Sequence, residues 1–285
     1  MDSLALVCEG GGMRGLYTGG VLDVFLDTKI HFPYCIGVSA GASYLFSYVS
    51  NQRGRNWQVN GTYAIDKRYL SYRNLLKTGS IFGMDFIFKE IPNNLVPFDY
   101  EAFNAFQGKM IVGCTDCKTG KPVYFNDVPI EKEEAFKHIQ ASCSLPLLST
   151  IQRVENLDLL DGGIADPIPI EKAFSDGAEK AVVVLTRPAG YSKKPSKGSA
   201  LYTLKYGKNY PGIVSAMERR HRIYNETLEK LSSYEQEGKV FIIRPSRQID
   251  VSRLEKNQQV LKNLYDLGMH DATVLMDSLK DFLAS

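Results

Sequence analysis

The chain alternates two hydrophobic patterns. Short, nearly continuous apolar runs close on glycine or a turn, and longer stretches repeat apolar side chains every three or four residues. The first pattern suits strands buried on both faces, the second amphipathic helices. Ser3 to Cys8 reads as a first buried parallel strand, and from Leu16 the residues Val21, Leu22, Phe25 and Leu26 fall at helical spacing. A second apolar strand runs up to Val38, and Ser39 to Val49 reads as the helix behind it. Lys109 to Thr115 and Pro122 to Phe125 form a hairpin-like pair around the turn Lys118-Thr119-Gly120-Lys121. Glu131 to Ser142 reads as a helix, and the small-residue stretch it enters is stopped by Pro146. Leu157 to Leu160, Lys180 to Thr186 and Lys239 to Arg244 read as further buried strands, the last two separated by a long helix marked by Ile213, Met217, Tyr224, Leu228 and Leu231. From Val251 the pattern predicts two amphipathic helices broken near Gly268. Strands alternating with helices predict one large α/β domain.

Two segments carry more than one reading. Asn51 to Phe98 is rich in aromatic residues and short of strand signal, and its most apolar part, Ser80 to Phe88, is either ordinary core or the wall of an acyl-chain pocket or cap. Between residues 187 and 210, Arg187, Lys193, Lys194, Lys197, Lys205 and Lys208 are opposed by no acid and interleaved with Tyr191, Tyr202, Tyr206 and Tyr210. That segment is either a solvated loop or a contact for an anionic lipid surface, where each nearby basic side chain adds ~1 kcal/mol.

With 285 residues, 44% hydrophobic and 23% charged, the chain can build a sizeable core. A net charge of +2 gives no pull toward nucleic acid. Cys8, Cys35, Cys114, Cys117 and Cys143 are an odd, scattered set, which reads as reduced thiols in a cytoplasmic protein. Cys114 and Cys117 spell C-x-x-C, but without a second pair or an adjacent histidine they read as buried strand residues rather than a zinc site. Met1-Asp2-Ser3 has no basic leader, and no apolar run approaches the roughly 18 residues of a spanning helix.

The chemistry concentrates in three short stretches. Gly37-Val38-Ser39-Ala40-Gly41 fits a G-x-S-x-G elbow, in which a sharp strand-to-helix turn presents the serine hydroxyl; a plain glycine turn is the alternative. Glu9-Gly10-Gly11-Gly12-Met13-Arg14-Gly15 places glycines at a helix N-terminus, an anion site by construction. Gly10, Gly12 and Gly15 also match the dinucleotide fingerprint, but that reading needs an acid at the end of the second strand, and the elbow stands there instead. The amides of Gly11, Gly12 and Ala40 are candidate donors to a developing oxyanion. For a base, His31, His138, His221 and His270 are poorly placed, whereas Asp161 ends an apolar strand and is followed by Gly162 and Gly163. If its strand is parallel to that of Ser39, the two C-terminal ends converge on one edge and give a Ser-Asp dyad. Asp161 as a structural cap is the alternative.

The order of these three motifs resembles the patatin-like phospholipase family. Cys114-Thr115-Asp116 with the turn to Gly120, and Ala141-Ser142-Cys143-Ser144-Leu145-Pro146, are similar to it as well, so the resemblance spans roughly Leu4 to Leu185. It implies a three-layer α/β/α sandwich with a mostly parallel central sheet, hydrolysis of lipid esters, and no metal or cofactor. Ser39 would carry the acyl group, Asp161 would act as base, and Gly10 to Arg14, with Met13 between, would form the oxyanion hole. Asp166 departs from the family, which often has Asn ahead of the proline turn. Residues 1–250 would form the hydrolase domain, and 251–285 a helical extension packed on it, as in a bacterial subgroup. Acyl transfer to an acceptor other than water, and anion or lipid binding without catalysis, are the competing functions.

Overall fold

Leu6 and Cys8 of the first strand, β1 (Leu4–Cys8), enter one apolar cluster, and Ala5 and Val7 the other. A two-residue period demands this of a strand covered on both faces. The computed structural model describes residues 3–132, 135–196, 198–248 and 250–285. After β1 come a 3-10 turn (Gly12–Gly15), α1 (Leu16–Asp27), β2 (Tyr34–Val38) and α2 (Ala40–Val49). The aromatic-rich stretch holds α3 (Tyr72–Thr78), α4 (Tyr100–Asn104) and two π-helical pieces, Trp57–Thr62 and Phe86–Leu95. The middle of the chain forms β3 (Lys109–Asp116), β4 (Pro122–Asn126), α5 (Lys137–Ser142), β5 (Gln152–Val154), β6 (Leu157–Asp161), α6 (Ile170–Ser175) and β7 (Lys180–Val184). Then follow α7 (Ser199–Tyr206), α8 (Pro211–Gln236), β8 (Val240–Ile243), α9 (Gln258–Val274) and α10 (Met276–Ala284).

The sheet runs β5-β6-β3-β2-β1-β7-β8, with β4 paired to β3 off this path. From β3 to β8 the pairings are parallel. One face carries α1, α2 and α9 through residues such as Leu22, Leu45 and Leu264; the other carries α6 and α8 through Ile170, Tyr224 and Leu231. The architecture is the three-layer α/β/α sandwich that the family resemblance implies. Among the described residues no helix is long and apolar enough to cross a membrane.

Three elements differ from the sequence reading. The strand ending at Asp161 is antiparallel, not parallel, to its neighbour β3. β4 occupies one edge of β3 from Ile111 to Thr115, so β2 and β6 share the other. There Val38 pairs with Gly113 and Asp161 with Cys114, and the two strands meet end to end. The helix read from Glu131 begins only at Lys137, after Phe136 takes a left-handed φ of 66°; Glu133 and Glu134 lie outside the described residues. Gly268 does not break the C-terminal helices. It lies inside α9, where a Cβ would stand 2.1 Å from the Tyr17 carbonyl, and a Cβ on Gly20 of α1 would stand 2.1 Å from that of Tyr265. The two helices pack through their missing side chains, so Gly268 serves that close contact rather than a break, and α9 runs on to Val274.

Candidate active site

Ser39 occupies the turn between β2 and α2 with φ 53° and ψ −129°, a region that costs a non-glycine residue on the order of 1–3 kcal/mol. Its neighbours make that turn possible. A Cβ on Gly41 would stand 2.4 Å from the Cys8 carbonyl and one on Gly37 2.6 Å from the Ala42 amide nitrogen, so α2 starts hard against the ends of β1 and β2. The Ser39 amide donates to Ser142 Oγ at 2.7 Å, and that hydroxyl donates to the Gly113 carbonyl at 2.6 Å. Ser39 itself is buried.

Asp161 reaches the same place from β6. Its main chain is pinned by the Asp161 amide donating to the Ser144 carbonyl (2.9 Å) and by Thr115 Oγ1 donating to the Asp161 carbonyl (2.8 Å). The Gly163 amide donates to Asp161 Oδ1 at 2.9 Å, while Oδ2 has no hydrogen-bond partner among the described residues. Gly162 must lack a side chain because a Cβ there would meet the Gly113 carbonyl at 2.1 Å. Ser39 and Asp161 line one cavity, together with Glu9, Gly10, Gly11 and Gly12. The structure thus brings the two residues together through the end-to-end meeting of β2 and β6.

The amides of Gly11 and Gly12 in the glycine-rich loop and of Ala40 at the start of α2 have no acceptor among the described residues. Gly10 passes so near Ser39 that a Cβ on it would lie 3.1 Å from the serine Cβ. Met13 is different from the expectation: its amide donates to the Arg253 carbonyl at 3.2 Å, so it is already satisfied and its side chain walls an apolar cavity instead. Arg14 is buried beside the loop, and its Nε finds no hydrogen-bond partner among the described residues. Glu9, at the start of the motif, accepts from the Thr186 amide (2.6 Å), Thr186 Oγ1 (3.1 Å) and the Tyr224 hydroxyl (2.9 Å), tying β1 to β7 and α8.

Two cavities meet at Ser39. The first, about 60 Å³, is lined by Tyr44, Tyr69, Phe82, Met84, Ile87, Phe88 and Cys143 among others, so the apolar run 80–88 does wall a pocket beside the serine. The second is basic, and Arg14, Arg187, Lys193, Arg220 and Arg253 line it. Gly12, Ser39 and Leu145 belong to both. Burial, then the charges of Arg187 and Arg253, bring the Arg14 pKa down to about 10; burial, then Arg220 and Arg253, bring Lys193 down to about 7. Arg220 is lowered by burial and then by Arg253, and its Nε donates to the Gly163 carbonyl at 2.5 Å.

Sequence reasoning missed this basic wall. Arg187 and Lys193 were legible only as part of a basic segment, and they turn inward, whereas Lys194, Lys205 and Lys208 are exposed; Lys197 lies outside the described residues. Nothing local in the sequence marks Arg220 on α8 or Arg253 in the loop before α9. Ser142 was visible only within a family-like stretch, its role as support for Ser39 depending on a contact 103 positions apart. Among the described residues no histidine lines either cavity at Ser39. His138 faces Asp127 instead, and His221 lies in a neighbouring groove. Asp166, the departure from the family, accepts from the Tyr124 hydroxyl at 2.5 Å and does not line the cavity that Ser39 and Asp161 share.

A strained serine at a strand-to-helix turn, a strand-end aspartate and a glycine loop, all on an α/β/α sandwich, define the class of patatin-like acyl hydrolases. Residues 6–174 match the patatin-like phospholipase family, and the chain belongs to it. Residues 210–284 match a second family, described as a domain of unknown function (DUF6363), which takes in α8, β8, α9 and α10. The chain is 27% identical over 270 residues to the uncharacterized protein YjjU of Escherichia coli (strain K12), covering 93% of this chain and 74% of that one. It is also similar to the crystal structure of VipD from Legionella pneumophila, with a TM-score of 0.49 and 12% identity over 98% of this chain and 67% of that one.

Proposed function

We propose that the protein hydrolyses carboxylic esters of lipids with Ser39 as nucleophile and Asp161 as base. The observation that carries this reading is the strained Ser39, held between an apolar pocket and a cavity it shares with Asp161. The Ser39 hydroxyl adds to the ester carbonyl carbon as its proton passes to Asp161; the oxygen that becomes negative takes the Gly11, Gly12 and Ala40 amides. The bond to the alcohol then breaks, the alcohol leaves with the proton from Asp161, and water repeats the sequence on the acyl-serine. Phe82, Met84, Ile87 and Phe88 give the acyl chain its apolar slot. The protein meets its substrate at a lipid surface, at the inner face of the membrane, through the outward-facing part of residues 187–210, where Leu201 and Leu204 are 58% and 85% exposed beside the exposed Lys194, Lys205 and Lys208.

Purified protein is expected to release free fatty acid from a medium-chain ester and to be labelled by a fluorophosphonate on Ser39. Ser39→Ala and Asp161→Asn should each remove turnover while keeping the circular dichroism spectrum. Near-normal activity in either variant would rule the dyad out.

A further inference from the structure

We propose that the basic cavity beside Ser39 is a site for a phosphomonoester group, and that it selects lipid esters with a dianionic phosphoryl head over those with a zwitterionic one. The proposal rests on the Ser39 ester-hydrolase reading and names its substrate class. Arg14, Arg187, Lys193, Arg220 and Arg253 line the cavity, against which it holds the carboxylates of Glu9 and Asp161. Among the described residues none of the five basic side chains forms an ion pair: Glu9 spends its oxygens on Thr186 and Tyr224, which are neutral donors, and Asp161 Oδ1 accepts from the Gly163 amide. The basic side chains outnumber the two carboxylates, and the excess positive charge in a half-buried space is unfavourable until an anion enters. The buried Arg14 Nε is a donor already desolvated and unpartnered, which a tetrahedral oxyanion satisfies.

The cavity also disfavours a quaternary ammonium head. Such a group is usually taken up by open aromatic faces. Here the aromatic ring that lines the cavity, Tyr224, is covered by Lys193 Nζ at 4.2 Å and so already holds a protein cation. Because Gly12, Ser39 and Leu145 border both cavities, an ester placed at Ser39 sends its acyl chain to the apolar side and its head to the basic side. The free space on the basic side, about 20 Å³, is that of one or two waters. A phosphoryl group enters as the ends of long side chains that no carboxylate holds move aside. Arg220 and Arg253 come from the stretch matched as a domain of unknown function, so this assigns that stretch a part in substrate choice.

The test uses three esters of one acyl chain in neutral detergent micelles at fixed ionic strength: a lysophosphatidate, a lysophosphatidylcholine and a monoacylglycerol. Wild type is expected to show a kcat/KM for the phosphomonoester about tenfold or more above that for the phosphocholine ester, the scale of a charge-assisted hydrogen bond. Arg253→Gln and Lys193→Gln should each bring that ratio toward one, and should lower the phosphomonoester rate more than the monoacylglycerol rate. Calorimetry with inorganic phosphate and the Ser39→Ala protein reads the cavity without turnover, and the added Arg253→Gln should weaken that binding by about tenfold. Equal rates on the three esters would overturn the proposal. Phosphate binding without any head preference would also overturn it, leaving a site for free phosphate. Phosphate binding retained by a Ser39→Ala protein that still hydrolyses ester would support the anion site while removing the dyad.

Discussion

The Ser39 amide is held by Ser142 Oγ at 2.7 Å, and that hydroxyl has one proton to give, which goes to the Gly113 carbonyl at 2.6 Å. Ser142 therefore locks the turn to β3, the strand against which β2 and β6 meet. Ser142→Ala leaves the buried Ser39 amide without an acceptor, at a cost of ~1–3 kcal/mol. The expected result is a fall in kcat of roughly tenfold to a hundredfold as Ser39, the proposed nucleophile, drifts from its aligned position. KM should change little, because the residue lines neither cavity. Unchanged kcat would show that the turn holds without it.

Ser39 itself holds a backbone conformation that strains any residue with a side chain. Glycine adopts φ 53° freely, so Ser39→Gly should abolish ester turnover yet raise unfolding stability by about 1 kcal/mol, the relieved strain less the extra chain entropy of glycine. Urea unfolding of wild type beside Ser39→Gly and Ser39→Ala reads this directly. Only the glycine variant should gain, and a loss of stability in it would show that the turn is unstrained.

How much of this was legible follows from the range over which each contact acts. The elbow, the glycine loop and the Asp161-Gly162-Gly163 corner are local, and each was readable because small residues at fixed spacing are required for the turn. The parallel core strands were readable because burial on both faces gives continuous apolar runs, as in Lys180–Val184. The direction of β6 was not, since an apolar run has no sense of direction; only its pairing to β3 reveals it. Arg220 and Arg253 were hidden for a related reason: a basic side chain on a helix or loop reads as solvated until the fold turns it toward Ser39. Gly268 looked like a helix break because its real partner, the Tyr17 carbonyl, lies far away in sequence.

That contact gives a third prediction. α9 docks on α1 through two hydrogen bonds of the same kind, Tyr17 donating to Asp271 at 3.1 Å and Tyr265 donating to Asp23, with Gly20 and Gly268 between them. Gly268→Ala and Gly20→Ala each drive a methyl group into a carbonyl oxygen and must push the helices apart. Helix propensity alone would favour alanine by ~1 kcal/mol, but overpacking at such a site costs ~1–3 kcal/mol and here meets backbone that has no rotamer to yield. Both variants are therefore expected to lower the melting temperature. The loss should extend to activity, because the Arg253 carbonyl that holds the Met13 amide sits just ahead of α9. A rise in melting temperature would mean that the helices are not in register through these glycines.

The last prediction concerns His138 on α5, the helix that also supplies Ser142. Its Nδ1 lies 2.5 Å from Asp127 Oδ1 and its Nε2 3.3 Å from Glu155, with the ring stacked on Phe125 at 4.1 Å. Burial works against the imidazolium, but the hydrogen bond and charge of Asp127, with Glu155 beyond, leave its pKa above the ordinary value. Burial outweighs the histidine's pull on Asp127, which also stays above its usual range, so the neutral-pH behaviour of the pair rests on the imidazole. Below an unfolded value of about 6.5 the imidazole is protonated in both states and the pair's contribution is complete. Between that value and the higher folded one, the folded chain holds a proton that the unfolded chain has released, so stability falls as pH rises; above the folded value the contribution is gone. Wild type should accordingly lose more of its urea midpoint between pH 6 and pH 8 than His138→Gln does, a comparison in which the buried thiols, which burial pushes up and which also lower stability as pH rises, cancel. An equal loss in the two proteins would show that the imidazole is not held protonated by Asp127.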